Sequence, residues 1–104
     1  MSESFVYMTC ENMNDAEGIG TVLLERHLAA CVNIMGGMKS LYWWEGKIEK
    51  GEEVVLIAKT KTNLVDELSE AVLAMHGYDV PCIVSMVIEG GNPDFLAWIR
   101  EETR

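Results

Sequence analysis

Glu45-Gly46 lies between two runs of strand-forming residues, Lys39 to Trp44 and Lys47 to Glu49. A dipeptide ending in glycine at that place predicts a tight hairpin, because two-residue turns need a residue that tolerates positive φ. The tip so made carries Tyr42, Trp43 and Trp44, and with them two of the chain's three tryptophans. Ring surface of that size is not left in water at the end of a hairpin. It packs back on its own domain or on another chain. Any fold for this sequence must therefore supply cover for a long aromatic hairpin.

The elements on either side follow from periodicity. Ser4 to Cys10 is β-prone, with Phe5, Val6 and Tyr7. Asn14 or Asp15 is the expected cap of a helix running to His27, with Ala16, Ile19, Val22 and Leu23 apolar and Arg26-His27 in the last turn, where the dipole favours cations. Gly18 and Gly20 fall inside this helix and weaken it. Leu28 to Ile34 reads as a strand interrupted by Gly36-Gly37 at a bulge or bend, with a second irregularity expected opposite, at Lys50-Gly51. Glu52 to Thr60 continues the returning strand. Thr62 or Asn63 caps a helix in which Leu64, Val65, Leu68, Ala71, Val72 and Met75 form one stripe, with Gly77 ending it. Cys82 to Ile88 is a strand, and Asn92-Pro93 opens a short helix with Phe95, Leu96 and Ile99. The order β-α-β-β-α-β plus a helix is the ferredoxin-like split βαβ pattern of the α+β class, in one domain over residues 1–104.

In that pattern both crossover helices cover the same face of the sheet. The strands, however, are apolar on both faces. Val54, Leu56 and Ala58 alternate with Val55 and Ile57, and Phe5 and Tyr7 with Val6 and Met8. In the last strand Ile83 and Val87 oppose Val84, Met86 and Ile88. A sheet apolar on both faces is buried on both, so another subunit is predicted against the face without helices. Hairpin arms of about fifteen residues exceed the usual strand length and are expected to project onto a neighbour.

Seventeen acidic residues against eight basic ones leave a formal net charge of −9. That argues against nucleic acid and anionic membrane as partners, since both need a basic face. Cys10, Cys31 and Cys82 have no close C-x-x-C spacing and read as reduced thiols in a cytoplasmic setting. Met1-Ser2-Glu3-Ser4 lacks the basic and apolar regions of a signal peptide. The apolar runs are far shorter than the ~20 residues that span a bilayer. There is no G-x-S-x-G, no H-E-x-x-H and no phosphate-binding glycine loop, so no enzymatic activity is expected.

Five segments in order carry a resemblance: Leu28 to Asn33, Ser40 to Glu49, Ala58-Lys59-Thr60, His76 to Pro81, and Gly91 to Ile99. Together, from about Phe5 to Arg100, they resemble the CutA family of divalent-cation-tolerance proteins. The resemblance implies a homotrimer assembled through the sheets and long hairpins, with Tyr42, Trp43 and Trp44 at the interface, and a link to copper or other divalent-metal tolerance. The family is also similar to the PII signalling proteins in fold and trimeric architecture. Some members are proposed to bind copper through a first-strand thiol and a histidine pair. Those positions align with Met8 and with Met75 and His76, so only His76 keeps its ligand type. His76-Gly77-Tyr78-Asp79-Val80-Pro81 stands where the family usually has His-Pro-Tyr-Glu-x-Pro, and Cys82 where an acid commonly follows. The resemblance further places Lys59, Cys31, Trp43 and His76 to Tyr78 near an intersubunit cleft.

Residue chemistry keeps two accounts of most of these positions. His76, Met75, Met8 and Cys31 are candidate ligands for Cu(I), Cu(II) or another divalent cation, since sulfur suits Cu(I) and imidazole suits Cu(II). Core packing is the plainer account of the three sulfur side chains. Lys59, Tyr78 and Trp43 are candidates for the cleft. For Tyr42, Trp43 and Trp44, packing across a trimer is preferred to an aromatic cage. Glu45, Glu49, Glu52 and Glu53 read as a solvated set protecting the hairpin edge. Two functions follow: a trimer that binds copper or another divalent cation weakly, without an organic cofactor, or a PII-like signalling or anchoring module that takes a small anionic ligand or a protein partner.

Overall fold

The structure is a computed structural model and describes residues 2–104. β1 (Glu3–Cys10) leads into α1 (Met13–Glu25), and β2 (Cys31–Trp44) and β3 (Lys47–Lys61) form the long hairpin. A 3-10 turn at Thr62–Leu64 continues into α2 (Val65–Met75), followed by β4 (Ile83–Val87) and α3 (Pro93–Glu102). The strands make one antiparallel sheet in the order β2-β3-β1-β4. β3 thus slots between β1 and β2, as the split βαβ pattern requires.

α1 begins and ends differently from expectation. Its cap is Asn12, whose side-chain oxygen accepts from the Asp15 N–H at 2.8 Å. Asn14 and Asp15 therefore lie inside the first turn, where Asp15 still complements the dipole. At the other end the Leu28 N–H reaches the Leu23 carbonyl at 2.9 Å and the His27 N–H reaches Leu24 at 3.0 Å. This pair of bonds is a Schellman close, with His27 at φ 55° in the left-handed position usually given to glycine. Arg26 and His27 are thereby outside the helix. Leu23 and Leu28, stapled by the close, are both fully buried. Gly20 also has a packing reason: a Cβ there would meet Val32 Cγ2 at 3.0 Å, so glycine lets α1 lie close on β2.

The hairpin turns at Glu45 (φ 50°) and Gly46 (φ 80°), a two-residue turn of the primed kind that the strand twist favours. Its one register shift lies between Met35 and Met38, where Gly36 and Gly37 together oppose Val54. β3 has no matching break, since Gly51 pairs regularly with Ser40. The bulge inserts one residue, and one is enough to change which side chains share a face. Cys31, Asn33 and Met35 lie on the face opposite the helices; beyond the bulge Met38, Ser40, Tyr42 and Trp44 do so.

α2 ends on His76, whose backbone turns extended (φ −78°, ψ 141°), and not on a left-handed glycine at Gly77. β4 is shorter than Cys82 to Ile88, although the Ile88 N–H still reaches the Glu3 carbonyl at 2.8 Å. Asn92 caps α3 by accepting from the Asp94 N–H at 3.0 Å, with Pro93 at the first helical position.

Val6, Met8, Leu56 and Ala58 from the sheet and Leu23, Leu28, Leu68 and Val72 from the helix side form the fully buried core. α3 closes one end of it through buried Ile99 and an Arg100–Glu3 ion pair at 2.9 Å. The opposite sheet face has no helix, and Val84 and Met86 there are more than half exposed.

Candidate functional site

The bulge and the loop after α2 build a groove on the helix-free face. One wall is the hairpin from Met38 to Trp44, the floor includes Tyr7 and Thr9 of β1, and the far wall is the segment from Gly77 to Cys82. Its volume is about 870 Å³. Met38, Ser40, Tyr42 and Trp44 are on the groove's side of the ribbon because the bulge shifts the alternation of β2 by one residue where it leaves the core.

The loop is held in place by one ring. His76 Nε2 lies 2.7 Å from the Thr9 carbonyl, and His76 Nδ1 lies 3.1 Å from the Tyr78 N–H. A backbone N–H only donates, so Nδ1 accepts, and the ring proton sits on Nε2 and is given to Thr9. The Tyr78 ring packs on the imidazole with centroids 4.7 Å apart. His76 thus ties the end of β1 to the start of the loop with both of its nitrogens.

Glu53 lies in the lining of the groove, close enough to act on Tyr78 and Cys82. Burial first, and then the Glu53 carboxylate beside it, hold the Tyr78 phenol well above its ordinary value. The same two causes, in the same order, raise the Cys82 thiol. Behind β1, burial and then the charges of Asp15 and Glu53 push the Cys10 thiol up to about 11. All three groups therefore stay protonated and neutral at neutral pH, and neither thiol has the depressed pKa of a nucleophile. Tyr7 gives its hydroxyl hydrogen bond to Met38 Sδ at 3.3 Å, which ties the floor to the hairpin wall.

The four candidate metal ligands do not converge within the chain. Met8 is fully buried on the helix face of β1. Cys31 lies on the other face, opposite Lys59. Met75 lines a small recess beside α1 together with Ile19 and His76. His76 has no free nitrogen lone pair, since one nitrogen accepts from Tyr78 and the other carries the proton. Among the described residues no three His, Cys, Asp or Glu side chains are placed to hold a metal ion. As single-chain ligands these residues do not fit a metal centre.

Of the cleft candidates, Tyr78 and Trp43 both belong to the groove's lining, although Trp43 alternates to the other face of the ribbon from Tyr42 and Trp44, whereas Lys59 does not line it. Lys59 sits on the rung of Phe5 and Cys31 and gives its ammonium hydrogen bond to the Asn33 side chain. Sequence reasoning missed Glu53, placing it with the solvated acids. The available signal was its alternation with Val55 and Ile57, which puts it on the groove face while Glu52 points the other way. Cys82, Met38 and Tyr7 were missed too, because only the bulge and the loop bring them together.

A four-stranded ferredoxin-like sheet, helices on one face and a hairpin-walled groove on the other define an α+β class of chain with an open binding side. The family model for the CutA1 divalent ion tolerance protein matches residues 4–102. The Divalent-cation tolerance protein CutA of Archaeoglobus fulgidus is 47% identical over 94% of this chain and 95% of its own length. Protein CutA 1, chloroplastic, of Oryza sativa is 43% identical over 95% of this chain, which spans 56% of that longer protein. The crystal structure of CutA1 from Oryza sativa superposes with a TM-score of 0.96 at 41% identity, covering 100% of this chain and 95% of that one. That from Thermus thermophilus gives 0.95 at 41% identity, over 98% and 99% of the two chains. The chain belongs to the CutA1 family.

Proposed function

We propose that this protein is a homotrimeric, non-catalytic binding protein of the divalent-cation response for which its relatives are named, and that its working surface is the Glu53 groove. The observation that carries the reading is the uncovered side of the molecule. Val84 and Met86 on the open sheet face, and Leu41, Trp43 and Ile48 at the hairpin tip, are large, apolar and more than half exposed. A surface of that kind marks an interface, and two further copies of the chain are the simplest cover. Tyr42, Trp43 and Trp44 then serve assembly and wall an intersubunit cleft.

Metal contact enters this reading as weak binding of copper or another divalent cation. At His76 it must displace the bond to Thr9 or the bond from Tyr78, each worth about 0.5–1.5 kcal/mol net. The small-anion alternative is less favoured by the groove, because Lys59 lies outside it and the lining holds two carboxylates, Glu53 and Asp79, against the single base Lys39, which pairs with Glu52 on the other face of the ribbon. Light scattering tests the assembly: a mass of three 11.6 kDa chains at micromolar concentration is expected, and a single-chain mass overturns it. Calorimetric titration with Cu(II), Cu(I) and Zn(II), compared with His76→Ala, tests the metal reading. Weak heats that the substitution changes support binding at this site, and flat titrations for all three ions refute it.

A further inference from the structure

Beyond the bulge the hairpin has two faces, and a neighbour laid on the helix-free side of the sheet covers only one of them. Lys39, Leu41 and Trp43 alternate to the other side, with Glu52, Lys50 and Ile48 as their cross-strand partners. In the core that side lies under α1 and α2; at the tip it is bare. Leu41, Trp43 and Ile48 are 66%, 73% and 60% exposed, whereas Tyr42 and Trp44 on the groove side are less than half exposed. The bare side has an apolar centre flanked by two lysines and one acid, the layout of an interface with a charged rim. Its basic surplus stands out in a chain of net charge −9.

α3 carries a patch that matches it. Asp94, Phe95, Trp98, Glu101 and Glu102 recur at helical spacing and share one face, and all five are exposed. Ile99 turns inward and is fully buried. The Phe95 and Trp98 rings lie side by side, with centroids 5.5 Å apart. The rim here is acidic. Among the described residues none of these three acids makes an ion pair, and neither Lys39 nor Lys50 does. Apolar centre meets apolar centre, and basic rim meets acidic rim.

The two patches cannot meet within one chain. Arg100 ties α3 to Glu3, which pairs with Lys61 at the base of β3. Ile48 stands at the far end of the same strand, roughly 40 Å away at about 3.3 Å per residue. The whole molecule is 44 Å long. A contact between tip and α3 therefore joins two copies. It is head to tail, because the patches are different surfaces, and head-to-tail contacts repeat until a ring closes.

We infer that the helix side of the hairpin tip docks on α3 of a second copy, with Trp43 and Ile48 against Phe95 and Trp98 and with Lys50 toward the acidic rim. This contact rests on the homotrimer proposed above, and it gives that assembly a reason to be a ring and not a two-fold dimer.

Cross-linking at the rim tests the contact without removing an aromatic side chain. Lys50→Cys and Glu101→Cys are placed in one chain and treated with a short bis-maleimide. Each single variant and the parent, which carries Cys10, Cys31 and Cys82, are the controls. The double variant is expected to give covalent species of two and three chains that the controls lack. Light scattering on the same samples reads the mass. Charge reversal supplies a second measurement: Lys50→Glu and Glu101→Lys should each weaken association by about three- to tenfold, and the two together should restore most of it.

A trimeric parent whose double cysteine variant cross-links no more than the controls overturns the contact and leaves the assembly standing. Cross-linking by a single cysteine variant beyond the parent's level also overturns it, since one patch would then be meeting itself. If the double cysteine variant does not assemble, the charge reversals decide, and failure of the pair to restore association overturns the contact. A parent of single-chain mass overturns contact and assembly together.

Discussion

The long hairpin has two ends made of the same two strands, and they live in opposite environments. At its base, Leu56 and Ala58 of β3 are fully buried against α1 and α2, and β1 pairs along their other edge. At its tip, Trp43 pairs with Ile48 across the ladder, and the two are 73% and 60% exposed. Both ends are rich in apolar side chains, so hydrophobicity alone does not distinguish them. The difference is what the chain lays against each. The base carries the chain's own stability, and the tip presents apolar surface for something else to cover.

The sharpest break of that comparison is at the base. Leu56→Ala removes a fully buried side chain with core on every side and is expected to cost about 2–5 kcal/mol. Urea unfolding at fixed protein concentration measures it. A cost under about 1 kcal/mol would mean that the base is loosely packed and that the two ends are not distinct.

The boundary between the ends is read by pH. Cys10 pairs with Val54, the residue opposite the bulge where the ribbon leaves the core. Its thiol titrates at an ordinary 9.0 when unfolded and near 11 when folded, because burial, then Asp15 and Glu53, disfavour the thiolate. Below 9 both states hold the proton, so this stabilising preference for the neutral thiol is intact. Between 9 and 11 the unfolded chain binds fewer protons, and stability falls with rising pH. Two pK units correspond to about 2–3 kcal/mol lost by pH 11. Tyr78 and Cys82, also raised, act with the same sign. Cys10→Ala should lower stability at neutral pH but flatten the urea-midpoint slope between pH 9 and 11. An unchanged slope would remove Cys10 from the alkaline loss.

Element order, strand pairing and the two-faced sheet were legible because each rests on local periodicity and a handful of turn residues. Asn92-Pro93 and Glu45-Gly46 did in the structure what their types predict. The misses share a cause: a tertiary partner overrode the local rule. His27 takes a left-handed position that sequence alone would give to glycine, and its Nδ1 lies 3.0 Å from the Glu102 carbonyl while its own carbonyl accepts from the Arg104 N–H. His76 in place of Gly77 ends α2, because its ring is held at both nitrogens. Glu53 faces the groove by its regular alternation with Val55 and Ile57 on β3, and it is Met38, Ser40, Tyr42 and Trp44 that join it there only through the bulge, whose consequence for facing is a count of one residue. The metal candidates were chosen for donor type, and donor type does not encode which face of a strand a side chain occupies.

The smallest effect on the chain's own fold is expected at the tip. Trp43→Ser deletes the most exposed tryptophan, which has no cover from its own helices. The intrinsic stability of the single chain should therefore move by no more than about 0.5 kcal/mol. The mass is a different matter, since the same ring is proposed to lie in the interface, where a buried aromatic dominates binding. The variant should dissociate at concentrations that keep the parent assembled. Its unfolding midpoint should then become independent of protein concentration, because mass action no longer links folding to association. If Trp43→Ser instead costs as much as Leu56→Ala and leaves the mass unchanged, the tip is stabilised by its own chain, and the contrast between the two ends of the hairpin disappears.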